Sequence, residues 1–150
     1  MMILALQGNR VLTYEILAKG ETVDGERFKR FLVRNLRPAL IRARISHPII
    51  LMDNARPHYH QVVRDYLERR GWEILHHSPY SPDMNPCDFD GIERIKKTLK
   101  GRHFHDEAGL VAAYSARIDD LNESGNFSGI NQLPEQWHSI IENCGDYVVN

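Results

Sequence analysis

Asp53 ends a short apolar run, Ile49 to Met52, and opens a turn-like Asn-Ala-Arg-Pro-His stretch. Further along, Asp83, Asp88 and Asp90 surround the start of a helical pattern in HHSPYSPDMNPCDFDGIERIKK. Carboxylates placed like this suit hard divalent cations, Mg2+ or Mn2+, which prefer oxygen ligands. Two such ions about 3.5–4 Å apart carry out phosphoryl transfer, and the pair usually needs a third carboxylate to complete it. The same residues also have a plainer reading. Asp is a favoured helix cap, so Asp53 could cap a helix starting near Pro57. Asp88 and Asp90 could simply complement the dipole of the helix they begin. The 34 residues between Asp53 and Asp88 (54–87) encode helix, strand and loop, an excursion that can return the chain to the same sheet edge.

The elements that must position these groups follow from periodicity. MMILAL and RVLTYEIL flank QGN and read as a hairpin. In GETVDGERFKRFLVRNLRPALIRAR, residues Phe28, Phe31, Leu32, Leu36, Ala39 and Leu40 recur at helical spacing, with Pro38 expected to kink or divide the helix. HPIILM is apolar and β-branched, the pattern of a buried strand. YHQVVRDYLERRG predicts an amphipathic helix on Val62, Val63, Tyr66 and Leu67 that stops at Gly71. WEILHH is a further strand, SPYSPDMNP a proline-rich loop, and CDFDGIERIKKTLKGR a helix with Ile92, Ile95 and Leu99 on one face. Helical patterns around Leu110 to Leu121 and Leu133 to Ile141 complete the chain. A hairpin followed by alternating helix and strand implies an α/β domain with a mixed sheet flanked by helices. In such folds ligands gather beyond the carboxyl ends of parallel strands, which is where Asp53 falls.

Composition narrows the field. The 150 residues are 42% hydrophobic and 26% charged, fitting one globular domain. With 19 basic and 20 acidic side chains, wholesale polyanion binding is not indicated, although local basic patches remain open. Cys87 and Cys144 lack metal-type spacing, and a reduced intracellular compartment is expected. MMILAL is too short for a signal peptide, and no run approaches the roughly 18 apolar residues of a membrane helix, so no membrane partner is expected.

MDNARPH and HSPYSPDMNPCDFD resemble the second and third catalytic motifs of mariner-type transposases, (H)DNA-x-x-H and Y-S-P-D-L-A/N-P-x-D, with the same 34-residue interval. LTYEILAKGETVDGERF, GWEILHHSPYSPDMNP and INQLPEQWHSIIENCGDYV are similar to mariner sequence in matching order, so the resemblance covers essentially the whole chain. It implies an RNase H-like fold, with Asp53 and Asp88 as the second and third metal-binding carboxylates, and Mg2+ or Mn2+ as cofactor. It also implies transposon-end and target DNA as partners, a homodimer in the intact family, and the nucleus as the place of action. His58 matches the motif histidine and could position a phosphate or order Asp53. The resemblance places the first catalytic Asp on a strand preceding the opening hairpin, and a helix-turn-helix region before that. Residues 1–150 are accordingly expected to be a partial RNase H-like catalytic domain, truncated at its central strand and inactive alone. Without that strand, the chain is expected to fold poorly or to pair Met1–Leu6 directly with Ile49–Met52.

The remaining features carry less. Glu15, Glu21 and Asp24 are expected on solvated surface, and Asp90 as a cap or a group supporting the site. His60, His76, His77, His103 and His105 have no metalloprotease or zinc spacing. Arg94, Lys96, Lys97, Lys100 and Arg102 form a basic run after Asp88 that is either a solvated helix face or a set of contacts to the phosphates of the strand being cut. Trp72, Phe104 and Trp137 are expected to pack in the core or an interface, and the proline-rich loop, by resemblance, in dimer contacts. Two alternatives stand beside a transposase endonuclease fragment: a non-catalytic DNA-associated or dimerisation module, and a generic RNase H-like nuclease. The mariner-like segments running to the C-terminus argue against the latter.

Overall fold

Gly8 and Asn9 close the opening hairpin, Gly8 at φ 59°, the left-handed region that two-residue turns require. The turn joins β1 (Met2–Gln7) to β2 (Arg10–Ile16), and the Leu17 N–H donates to the Met1 carbonyl at 2.9 Å at the open end. The structure, a computed structural model, describes residues 1–76 and 81–142. His77, residues 78–80 of the proline-rich loop, and Cys144 lie outside the described residues. The chain divides into two compact units, one of Met1–Ile3 and Leu12–Ser81, the other of Leu4–Val11 and Pro82–Asn150.

In the first unit Asp24 caps α1 (Gly25–Phe31), its carboxylate accepting from the Arg27 N–H at 2.7 Å. The helix continues through a π-helical turn, Leu32–Leu36, into α2 (Arg37–Arg42). Pro38 divides the helix as expected, and the π turn shows how. Proline has no N–H to offer the preceding turn and its ring crowds a carbonyl there, so the backbone widens and Arg37 N–H reaches back to Leu32 O. Phe28, Phe31, Leu32, Leu36, Ala39 and Leu40 are all buried, and α1 packs against α3 (Gln61–Arg70), where Val63 and Leu67 have no exposed surface. Gly71 ends α3 with φ 62°, donating back to Glu68 O.

β3 (Ile49–Met52) runs parallel to β4 (Glu73–His76), with Ile50 opposite Ile74 and Met52 opposite His76. α3 lies on the crossover between them, the connection that parallel strands need. The strand pairing is mixed but divided between two two-stranded sheets, β1–β2 and β3–β4, so the expected direct pairing of residues 1–6 with Ile49–Met52 does not occur. Each strand takes a partner near in sequence, across a two-residue turn or one crossover, which avoids the larger loop-closure entropy of a distant pairing. The expectation of a buried β3 also needs correction. Met52 is buried but Ile49 is 62% exposed, because the strand has one ladder partner among the described residues and is not covered on both faces.

The second unit contains the hairpin tip, a π-helical turn at Cys87–Ile92, and helices α4 (Glu93–Lys97), α5 (Glu107–Ser124) and α6 (Gly129–Glu142). Its core holds Val11, Ile95, Leu99, Ile118, Leu121 and Phe127. Asn122 of α5 bonds the Val11 N–H at 2.7 Å and its carbonyl at 3.2 Å, serving β2 as a substitute strand partner. Gly91 is buried where a side chain would have no room, since a Cβ would lie 2.8 Å from Leu4 Cδ2. The helix expected over 87–102 ends at Lys97, with Gly101 at φ 81° after it. Trp72 meets the Tyr66 ring edge-on at 5.8 Å, and Trp137 Nε1 donates to Met84 O at 3.3 Å. With Phe104 they are half-buried. Among the described residues no helix is long and apolar enough to cross a membrane.

Glu15, Glu21 and Asp24 are not idle surface groups. Besides the Asp24 cap, Arg27 pairs with Glu15 at 2.7 Å and with Glu21 at 3.0 Å, linking β2, the following turn and α1. The hydrogen bond from Arg27, and after it the backbone bond with Ala18, hold the Glu21 carboxyl below its ordinary value of 4.5. A depressed carboxyl stabilises the fold above its unfolded pKa and loses that contribution as pH falls through the folded one. The Tm difference between the unmodified chain and Glu21→Gln should therefore be constant near neutrality and shrink below pH 4.5. A difference that grows on acidification would contradict this assignment.

Candidate functional site

Asp53 follows the buried Met52 at the carboxyl end of β3, with its side chain 39% exposed. Asp53 Oδ1 accepts from the Ala55 N–H at 3.1 Å, a local turn that aims the carboxylate away from the strand axis. His58 Nδ1 lies 2.6 Å from the same oxygen and 3.2 Å from the Asp53 carbonyl. Both neighbours are acceptors, so Nδ1 carries the proton. The His58 ring packs on Phe28 at 4.2 Å between centroids, which ties the motif histidine to the core face of α1. Asp53 does not cap α3, the plainer alternative for it: His60 does, its Nδ1 accepting from the Val62 N–H at 3.4 Å.

Asp88 sits in the π-helical turn after Pro86, half-buried. Asn85 organises its approach. The Asn85 carbonyl accepts from the Asp88 N–H at 2.9 Å, its Oδ1 accepts from the Cys87 N–H at 3.1 Å, and its Nδ2 donates to Asp88 Oδ2 at 2.9 Å. Asn85 is itself 8% exposed. Sequence reading passed over it. The available signal was an Asn before Pro, a pair that favours a side-chain-closed turn.

Asp90 is 3% exposed and serves a helix 39 residues away. Its Oδ2 accepts from the Ser128 and Gly129 N–H groups at 2.9 and 2.7 Å, and its Oδ1 pairs with Arg94. The expected cap is therefore real, but the helix it caps is α6 and not its own. Asp83 keeps one buried oxygen, Oδ1, without a hydrogen-bond partner among the described residues.

Of the expected DNA contacts, His58 is engaged with Asp53 and Arg94 with Asp90. Lys97, Lys100 and Arg102 are exposed, Arg102 lying over the Phe104 ring at 5.6 Å. Asp53 belongs to the first compact unit and Asp88 to the second. No group of three or more His, Cys, Asp or Glu is drawn together for a metal among the described residues.

A strand-end carboxylate after a parallel pair, with a helical crossover and a second carboxylate on a helix start, defines the class of α/β domain at hand. The structure matches the Mos1 transposase catalytic domain solved with raltegravir and Mg at a TM-score of 0.90 and 30% identity, over 99% of this chain and 76% of that one. It matches the Mos1 paired-end complex with the left transposon end at 0.84 and 33%, over 93% of this chain and 41% of that one. The fold is RNase H-like. Residues 1–110 match the DDE superfamily endonuclease family, and the chain belongs to it. It is 33% identical over 144 residues to the Mariner Mos1 transposase of Drosophila mauritiana, covering 92% of this chain and 41% of that protein. It is 30% identical over 143 residues to human histone-lysine N-methyltransferase SETMAR, covering 91% of this chain and 21% of that protein. The chain thus spans about two fifths and one fifth of these relatives' lengths.

The geometry makes a direct prediction for Asn85. Asn85→Ala removes the bonds of this side chain to the Cys87 N–H and to Asp88 Oδ2 and should cost about 1–3 kcal/mol in urea unfolding. A loss well under 1 kcal/mol would show that the turn does not depend on this side chain.

Proposed function

We propose that this chain is part of the catalytic domain of a mariner-type DNA transposase, with Asp53 and Asp88 as carboxylate ligands of Mg2+ or Mn2+. The observation that carries the reading is that each motif aspartate is held by a nearby side chain, Asp53 by His58 and Asp88 by Asn85. Both donors are hard oxygens on partly exposed side chains, a set that fits a hard divalent cation. Such a cation, when bound, activates the attacking water or 3′ hydroxyl and stabilises the leaving oxygen of the phosphodiester.

The chain's own residues do the rest. The Nδ1–H of His58 keeps Asp53 Oδ1 pointed in one direction. Asn85 Nδ2 does the same for Asp88 Oδ2, and holding both spares the reaction the cost of ordering them later. Lys97, Lys100 and Arg102, exposed beyond α4, offer positive charge to the phosphates of the strand being cut. Arg94 reaches DNA only by leaving Asp90, so its contribution is the smallest of the basic run. The substrates are transposon-end and target DNA, the acting form is a homodimer, and the place of action is the nucleus. Support for the DNA and dimer reading comes from the similarity to Mos1, which has been solved as a paired-end complex with the left transposon end.

In this reading residues 1–150 belong to one RNase H-like catalytic domain and do not cleave DNA on their own. Calorimetric titration with Mn2+ should show weak binding that falls roughly tenfold or more in Asp53→Asn and Asp88→Asn, with circular dichroism unchanged. Supercoiled DNA should stay intact with the chain and Mn2+. Nicking that disappears in Asp88→Ala would overturn the inactivity, and Mn2+ binding unchanged in both Asn variants would overturn the ligand assignment.

A further inference from the structure

We infer that Asp90 is a positioning residue, clamping the N-terminus of α6 so that the helix braces the turn that presents Asp88. The inference rests on the reading of Asp88 as a metal ligand and concerns what keeps that ligand in place. Asp90 is two residues beyond Asp88 on the same π-helical turn, and its carboxylate is almost fully buried. Oδ2 takes both the Ser128 and Gly129 N–H groups, while Arg94 holds Oδ1. The carboxylate is therefore engaged on both sides, and it satisfies the N–H of Gly129, the first residue of α6, and that of Ser128 just before it, groups that helices otherwise leave unpaired.

Packing reinforces the clamp. A Cβ on Gly129 would lie 2.8 Å from Asp90 Cβ and 3.0 Å from Phe89 Cε2, so the two backbones approach as closely as glycine permits. The same helix reaches the other side of the turn, where Trp137 Nε1 donates to the Met84 carbonyl at 3.3 Å. Residues 84 and 90 are thus both fastened to α6, and between them Asn85 fixes Asp88. Movement of α6 away from Asp90 would release one end of the segment while Asn85 held the other. The residue type at position 90 is then a functional choice: a buried carboxylate can accept from two adjacent N–H groups and an arginine together, as a neutral short side chain cannot.

Two signals in the full chain test this. In nitrogen-resolved NMR without metal, the Asn85 side-chain amide reports its bond to Asp88. With Mn2+ alone as probe, paramagnetic broadening of the Asp88 amide reports ion binding. Asp90→Ala and Gly129→Ala should each move the Asn85 amide toward the position of an unbonded amide and raise the Mn2+ midpoint roughly tenfold or more. Asp90→Asn keeps an acceptor for the two N–H groups but sets an amide against Arg94, and should restore only part of both signals. Leu121→Ala, a buried change on α5 distant from the clamp in sequence, should lower stability and move neither. If Asp90→Ala does not fold, Gly129→Ala decides the matter, because it leaves the Asp90 carboxylate and Arg94 in place and disturbs only the close approach of α6. An Asn85 amide unmoved in the variants that fold, or moved equally by Leu121→Ala, would overturn the brace. Absence of Mn2+ broadening at Asp88 in the unmodified chain would overturn the metal reading, and the metal-free Asn85 signal would still decide the brace.

Discussion

A carboxylate that is to hold a cation must stand still without being neutralised. In the proposed reading that constraint falls on Asp53 and Asp88. A full ion pair with arginine or lysine would fix the group but place a competing positive charge on it. Neutral hydrogen bonds fix it without that charge. Asp53 receives the Ala55 N–H and the His58 ring, and Asp88 receives the Asn85 amide. Arg27 pairs with Glu15 and Glu21, and Arg94 with Asp90. Each of these partners has a contact of its own, His58 with the Phe28 ring and Asn85 with the Cys87 N–H. The helices are arranged around these supports. α1 offers Phe28 because its apolar face is packed on α3, and α6 is tied to Asp90.

The two motif segments were legible because their chemistry is local. Asp-Asn-Ala-Arg-Pro-His closes a turn on itself, and Asn-Pro-Cys-Asp does the same, yet it was the resemblance of these segments to mariner-type motifs that singled out their aspartates, and Asn85 was passed over. The hairpin, the Pro38 division and the Gly71 stop were legible for the same reason, since each is set by one residue's backbone preference. What stayed hidden depends on partners far along the chain. Nothing around Asp90 announces that Ser128 and Gly129 will be its donors, and nothing around Val11 announces Asn122. Glu15 looks like any strand-face glutamate until Arg27 of the next element reaches it. The exposure of Ile49 was hidden too. An apolar β-branched run signals a strand but not how many neighbours cover it.

Family membership and the physical reading meet at the same residues from different directions. The DDE superfamily match spans residues 1–110 and therefore both aspartates, whereas α6 lies beyond it. The clamp on α6 is an argument from burial and hydrogen bonds alone, which makes its failure or success independent of the family assignment.

The central claim is that Asp53 and Asp88 are cation ligands, and diffraction from crystals soaked in Mn2+ tests it most directly. Anomalous peaks coordinated by the Asp53 and Asp88 carboxylates, at about the 2.0–2.1 Å typical of small hard cations, are the predicted result. Ordered Mn2+ elsewhere, with both carboxylates still bonded only to protein groups, would contradict it.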